Sequence, residues 1–159
     1  MLGASKVKLI ASESLVGGAI QDTRTLDLDV TGGEYNGRQT WVLRCDAASS
    51  ILESRTRLEE HALIEAAWQA GVRVPKPIAV GRLSTGKVFT IVERLPGIGL
   101  GPKVVRDSHL GGERARLVEE LGRQLASIHR IDPSTPVLKP LALAQQPDTV
   151  EQLLSLIHI

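Results

Sequence analysis

The sequence predicts an α+β fold in which a five-stranded antiparallel sheet carries one helix, with a second helix following. Three observations predict it. Strand-like stretches near the start are separated by Gly-Gly and Asn-Gly pairs. The apolar period then changes to that of a helix between Ser50 and Ala70. Two further short strands with a Gly-containing turn precede a glycine-rich connection and the second helix.

The elements follow in order. Val7-Lys8-Leu9-Ile10 opens the first strand, and Thr25 to Val30 alternates strictly, which places Leu26, Leu28 and Val30 on one face of the second. Gly32-Gly33 and Asn36-Gly37 supply the positive backbone angles of a tight turn before the third strand, Thr40-Trp41-Val42-Leu43. Ser50 and Glu53 have the spacing of a capping box, and the run to Ala70 is expected to share a face through Leu52, Leu63, Ala67 and Ala70. Gly71 ends that helix, and Pro75 and Pro77 forbid its continuation. Ile78 to Leu83 and Lys87 to Arg94 form a hairpin turning at Ser84-Thr85-Gly86. The connection from Pro96 to Gly112 holds five glycines and two prolines, which sets it apart as a linker. A helix is then predicted from Glu113 to Arg130, with Leu117, Leu121, Leu125 and Ile128 on one stripe. Asp132-Pro133 stops it, and Pro136, Pro140 and Pro147 punctuate a segment read as mostly loop. The chain thus divides into a first unit at 1–95, a hinge and linker at 96–112 and the start of a further unit at 113–153.

Composition narrows the function classes. With 42% hydrophobic and 23% charged residues, the chain is that of a globular domain, not of a disordered one. A net charge of +1 provides no general field for nucleic acid. No apolar run approaches the roughly 20 residues of a membrane crossing, and the first residues carry no apolar core of a secretion signal, so a cytoplasmic location is expected. The single cysteine, Cys45, forms no internal disulfide or thiolate metal site by itself and is expected to be a small buried or half-buried residue. His129, near the apolar stripe of its helix, is expected to be a hydrogen-bonded core residue, and His109 lies in the linker.

Three features point to chemistry. Leu15-Val16-Gly17-Gly18-Ala19 lies between the first two strands, where paired glycines could let backbone N–H groups approach a phosphate; alone it reads first as a plain hairpin turn. Trp41-Val42-Leu43-Arg44 is a strand ending on a cation, which suits a forked phosphate contact or a solvated strand end. Glu60, sixteen positions later on the first helix, is placed to hold that cation by a charge-assisted hydrogen bond, or to be one more exposed helix glutamate.

Together and in this order these residues resemble the aminoglycoside phosphotransferase family, the kinase-like enzymes that include choline and homoserine kinases. The resemblance runs from about Leu15 to Asp132. It rests on the glycine pair, the Arg44 strand, Glu60, the turn Gly71-Val72-Arg73-Val74-Pro75, the stretch Val92-Glu93-Arg94-Leu95-Pro96-Gly97, and Leu125-Ala126-Ser127-Ile128-His129-Arg130-Ile131-Asp132. It implies a protein-kinase-like amino-terminal lobe followed by the first helix of a truncated second lobe. It further implies that Gly17 and Gly18 cover the phosphates of ATP, that Arg44 contacts them and Glu60 holds Arg44, and that the backbone of Glu93, Arg94 and Leu95 meets the adenine. A magnesium ion and a small molecule carrying a hydroxyl are the implied further partners. The family's catalytic His-Gly-Asp with its following Asn has no match in the sequence, so no catalytic or metal-binding residue is assigned. The final string, Leu154 to Ile159, is similar to the translation of a transposon-end adaptor and is expected to be foreign, the natural protein continuing instead. A degenerate nucleotide-binding or regulatory module and a non-enzymatic interaction domain are the alternatives. A folded cooperative monomer would mark the latter, whereas a truncated lobe is expected to expose the apolar stripe of its last helix.

Overall fold

The computed structural model describes residues 3–15, 21–46, 55–99, 101–107, 109–110, 114–139 and 141. Strands β1 (Lys6–Ser14), β2 (Gln21–Thr31), β3 (Gly37–Asp46), β4 (Pro77–Arg82) and β5 (Val88–Glu93) form one antiparallel sheet in the order β1-β2-β3-β5-β4. Helix α1 (Arg57–Gln69) lies between β3 and β4 in the chain. Because the β4-β5 hairpin joins through β5, β3 is hydrogen-bonded on both sides.

Strand alternation builds the sheet's core. Leu28 and Val30 are buried with Trp41, and Leu26, Tyr35, Ile78 and Ile91 pack against them, as the pattern from Thr25 to Val30 requires. The Tyr35 ring meets Trp41 edge-on at 5.5 Å. The turn before β3 uses its glycines as expected: Gly32 and Gly33 have φ of 79° and 72°, and the Gly32 N–H donates to Asn36 Oδ1 at 2.7 Å. Gly81 has a different reason to be glycine. It pairs with Phe89, and a Cβ there would lie 2.8 Å from the phenyl Cζ.

Helix α1 begins with a capping box, at Thr56 and Glu59. The Thr56 hydroxyl accepts from the Glu59 N–H, and the Glu59 carboxylate accepts from the Thr56 N–H. Ser50, Leu52 and Glu53 lie outside the described residues. The buried side of α1 is Arg57, Ala62 and Ala66, so its face against β4 and β5 is made by small residues that permit close approach. Leu63 and Ala67, assigned to one face by sequence, line an apolar groove of about 390 Å³ between α1 and the residues Val74, Ile128, Ile131 and Leu138. Gly71, at φ 75°, ends the helix.

The linker contains a short helix, α2 (Gly101–Arg106), which the glycine count concealed; Pro102 in its first turn forfeits no intrahelical bond. Helix α3 (Arg114–His129) follows, then a 3₁₀ turn at Pro136–Leu138. The α3 stripe is exposed: Leu121 is 60% and Leu125 52% accessible. His129 is exposed as well, a correction to its reading as a core residue, because it stands on the last turn of a helix whose apolar side is itself uncovered. The polar side of α3 meets the lobe, where Gln124 Oε1 accepts the Arg73 N–H at 2.7 Å and Glu120 pairs with Arg73 at 3.4 Å. No helix among the described residues is long and apolar enough to cross a membrane.

Two expectations follow from α1. Thr56→Ala removes the cap's side-chain acceptor and should cost about 1 kcal/mol in urea unfolding. His61 has a 13% accessible side chain, and its buried Nδ1 has no hydrogen-bond partner among the described residues; burial holds its pKa below the usual imidazole value, opposed by the Glu65 carboxylate. A lowered folded pKa means that the unfolded chain binds the proton more readily. The contribution is therefore complete above the ordinary histidine range and is lost as pH falls through it. Unfolding free energy should drop between pH 7.5 and pH 5.5, and His61→Gln should drop less.

Candidate functional site

The site is organised around the end of β3. Arg44 is paired by backbone with Thr23 of β2 and Thr90 of β5, so its Cα is fixed from both sides. Alternation puts Val42 and Arg44 on the face opposite Trp41, Leu43 and Cys45. Their cross-strand partners Thr25, Thr90 and Val92 share that face and are buried at 4%, 2% and 6% exposure. Cys45 is buried on the other side, as composition suggested.

Helix α1 passes over β4 and β5 and delivers Glu60 to this face. Arg44 Nη1 stands 3.7 Å from Glu60 Oε2, with the two side chains 30% and 25% exposed. This is an ion pair at a separation beyond a hydrogen bond. The same Oε2 accepts a hydrogen bond from Nη1 of Arg57, one helical turn earlier, whose side chain is 5% exposed. Glu60 is thus a carboxylate between two guanidinium groups. Sequence reasoning missed Arg57; its signal was the i, i+3 spacing to Glu60, which also fits an ordinary surface pair.

The other assigned positions fall as follows. Glu93 closes β5 opposite Trp41, three residue pairs along the ladder from Arg44, or about 10 Å of strand. Its N–H donates to the Lys76 carbonyl at 2.9 Å, and the Arg94 N–H donates to the Thr40 carbonyl at 3.3 Å. These bonds hold the departing backbone against both neighbouring elements, while the side chains of Glu93, Arg94 and Leu95 are exposed. Gly17 and Gly18 lie outside the described residues. The strands that flank their segment converge beside Arg44: Leu15 N–H donates to the Thr23 carbonyl at 2.8 Å, and Thr23 is the backbone partner of Arg44. Arg44 and Glu60 are therefore brought together, whereas Glu93 to Leu95 stand at the far end of the same stretch of sheet.

Chemically this is a cation on a rigid strand, backed by a carboxylate and bordered by apolar and hydroxyl side chains. Such an arrangement suits an anion extended along β3 better than a metal ion. Among the described residues no group of three or more His, Cys, Asp or Glu side chains is placed to hold a metal.

Comparison with known proteins gives one positive result. The sequence model of the phosphotransferase enzyme family matches residues 18–155, which include β2, β3, α1, the β4-β5 hairpin and α3. No curated protein and no solved structure matches the chain. The match spans most of the sequence and covers the strand and helix that carry Arg44 and Glu60, and on that ground the chain belongs to the phosphotransferase (APH) family.

Proposed function

We propose that the chain forms the nucleotide-binding lobe of an ATP-dependent phosphotransferase that acts on a hydroxyl of a small molecule. The observation that carries this reading is the pairing of Arg44, at the end of the central strand, with Glu60 on the helix above it. Arg44 contacts the triphosphate, and its planar guanidinium suits a forked contact with phosphate oxygens. Glu60 limits the rotamers of Arg44, so that less side-chain freedom is lost when the anion arrives. Val42 and Val92, neighbours on the same face, offer the apolar surface against which a base can lie, and the backbone from Glu93 to Leu95 presents polar groups to its edge. Gly17 and Gly18 cover the phosphates from the segment between β1 and β2.

ATP is the phosphoryl donor, and magnesium would supply charge neutralisation across its phosphates. The described residues do not fit a magnesium site, and no step of this reading runs through one. The sequence also contains no His-Gly-Asp string, so these residues alone supply no carboxylate to orient an attacking hydroxyl. Binding and orientation of the nucleotide are the work of this lobe. The exposed apolar stripe of α3 supports reading that helix as the opening of a second lobe carrying the acceptor pocket.

The test is a titration of the protein extended through its second lobe with ATP, comparing wild type with Arg44→Ala. Affinity should fall by about 1–3 kcal/mol, the scale of charge-assisted hydrogen bonds. An unchanged dissociation constant would remove Arg44 from the site.

A further inference from the structure

Lys76 stands between two prolines, and the ring of Pro77 confines the residue before it to extended backbone. Pro77 opens β4 opposite Val92 with no N–H to give to the ladder, and the register shifts directly after it, between Pro77 and Ala79. This end of the edge strand is thinly bonded to β5 by backbone. It is nevertheless here that the Lys76 carbonyl accepts the Glu93 N–H at 2.9 Å, where the backbone of Glu93 to Leu95 departs from the sheet. The Lys76 side chain makes up the deficit. Its Nζ donates to Glu34 Oε1 at 2.8 Å and lies 4.9 Å from the centre of the Tyr35 ring and 5.6 Å from that of Trp68, distances at which an ammonium is attracted to an aromatic face. Glu34 and Tyr35 belong to the turn between β2 and β3, and Trp68 to the last turn of α1. Tyr35 in turn meets Trp41, the residue that faces Glu93 across the β3-β5 ladder. Glu34, and Tyr35 after it, hold the Lys76 pKa above the ordinary lysine value, so the ammonium stays charged throughout the neutral range.

We propose that Lys76 is a positioning residue: its ammonium, seated among Glu34, Tyr35 and Trp68, anchors the segment whose carbonyl holds the Glu93 N–H, and so sets where the backbone from Glu93 to Leu95 leaves the sheet. For its purpose, presenting that backbone to a base, this rests on the nucleotide-binding reading; for its geometry it does not. Two prolines make the segment stiff, but a stiff segment still has to be placed. One side chain that reaches both the β2-β3 turn and the end of α1 places it from two sides. Without the cation, the Glu93 bond remains within reach but opens more often.

The experiment follows amide hydrogen exchange of the 159-residue chain by NMR, without nucleotide, and compares the Glu93 N–H with the amides of the β2-β3 ladder. In Lys76→Met, which keeps the length of the stem and loses the charge, the Glu93 amide should exchange roughly three- to tenfold faster relative to that ladder, the weight of an exposed cation–π contact and ion pair. Lys76→Arg keeps a cation over both rings and should return the rate to within about twofold of wild type. A lysine that only stabilised the fold would speed Glu93 and the ladder equally. That result, or an unchanged Glu93 amide, overturns the proposal, as does exchange in Lys76→Arg as fast as in Lys76→Met. Should Lys76→Met not fold, Trp68→Leu decides, since the Trp68 side chain is largely outside the core at 43% exposure. The Glu93 amide should then exchange about twofold faster or more relative to the ladder, and no change means that the proposal fails. A negative result here leaves the ATP reading standing, since that reading falls only if Arg44→Ala binds ATP as wild type does.

Discussion

Glu60 is where the helix and the sheet meet electrostatically, and much of the site depends on its being shared. A carboxylate taken partly out of water needs cationic or hydrogen-bonding partners to offset its desolvation. Here one partner, Arg57, comes from the same helix, and the other, Arg44, comes from the central strand. The first makes Glu60 part of α1, and the second makes α1 part of the site. Because β3 is paired along both edges, the cation at its end has little freedom of backbone, and the remaining freedom of its side chain is what Glu60 restricts.

That arrangement relies on how closely α1 can lie over the sheet. Ala62 and Ala66 form its buried side, and bulkier residues there would lift the helix away from β5. The pairing of Gly81 with Phe89 makes a related accommodation at the outer hairpin, where the missing Cβ gives the phenyl ring its place. Small residues at these points keep the β4-β5 hairpin and α1 within reach of β3.

Much of this was legible in the sequence because the signals were local. The alternation of Leu26, Leu28 and Val30 fixed a buried face, and the glycines at 32, 33 and 86 marked turns in which they adopt positive φ. The spacing of Arg44 and Glu60 was legible only through family resemblance, since a separation of sixteen positions carries no geometric message by itself. What remained hidden was tertiary. The capping box Thr56-Arg57-Leu58-Glu59 went unread because Ser50 to Glu53, which lie outside the described residues, carry the same pattern just before it. The short helix Gly101–Arg106 was masked by its glycines, and Arg57 by its likeness to any surface arginine. His129 is exposed because the uncovered stripe of α3 leaves the residue beside it without a core to enter.

The two helices therefore relate to the lobe in different ways. Every buried hydrophobic side chain among the described residues comes from the sheet, from α1 or from the turn after it, and none from α3. Helix α3 is attached by Gln124 and Glu120 at Arg73 and by the rim of an open apolar groove. Contacts of that kind place a helix without contributing much burial free energy, and an exposed surface ion pair adds little. The core that fixes Arg44 and Glu60 thus stands without α3. The outward stripe of α3, at Leu117, Leu121 and Leu125, is exposed apolar surface that this lobe does not cover.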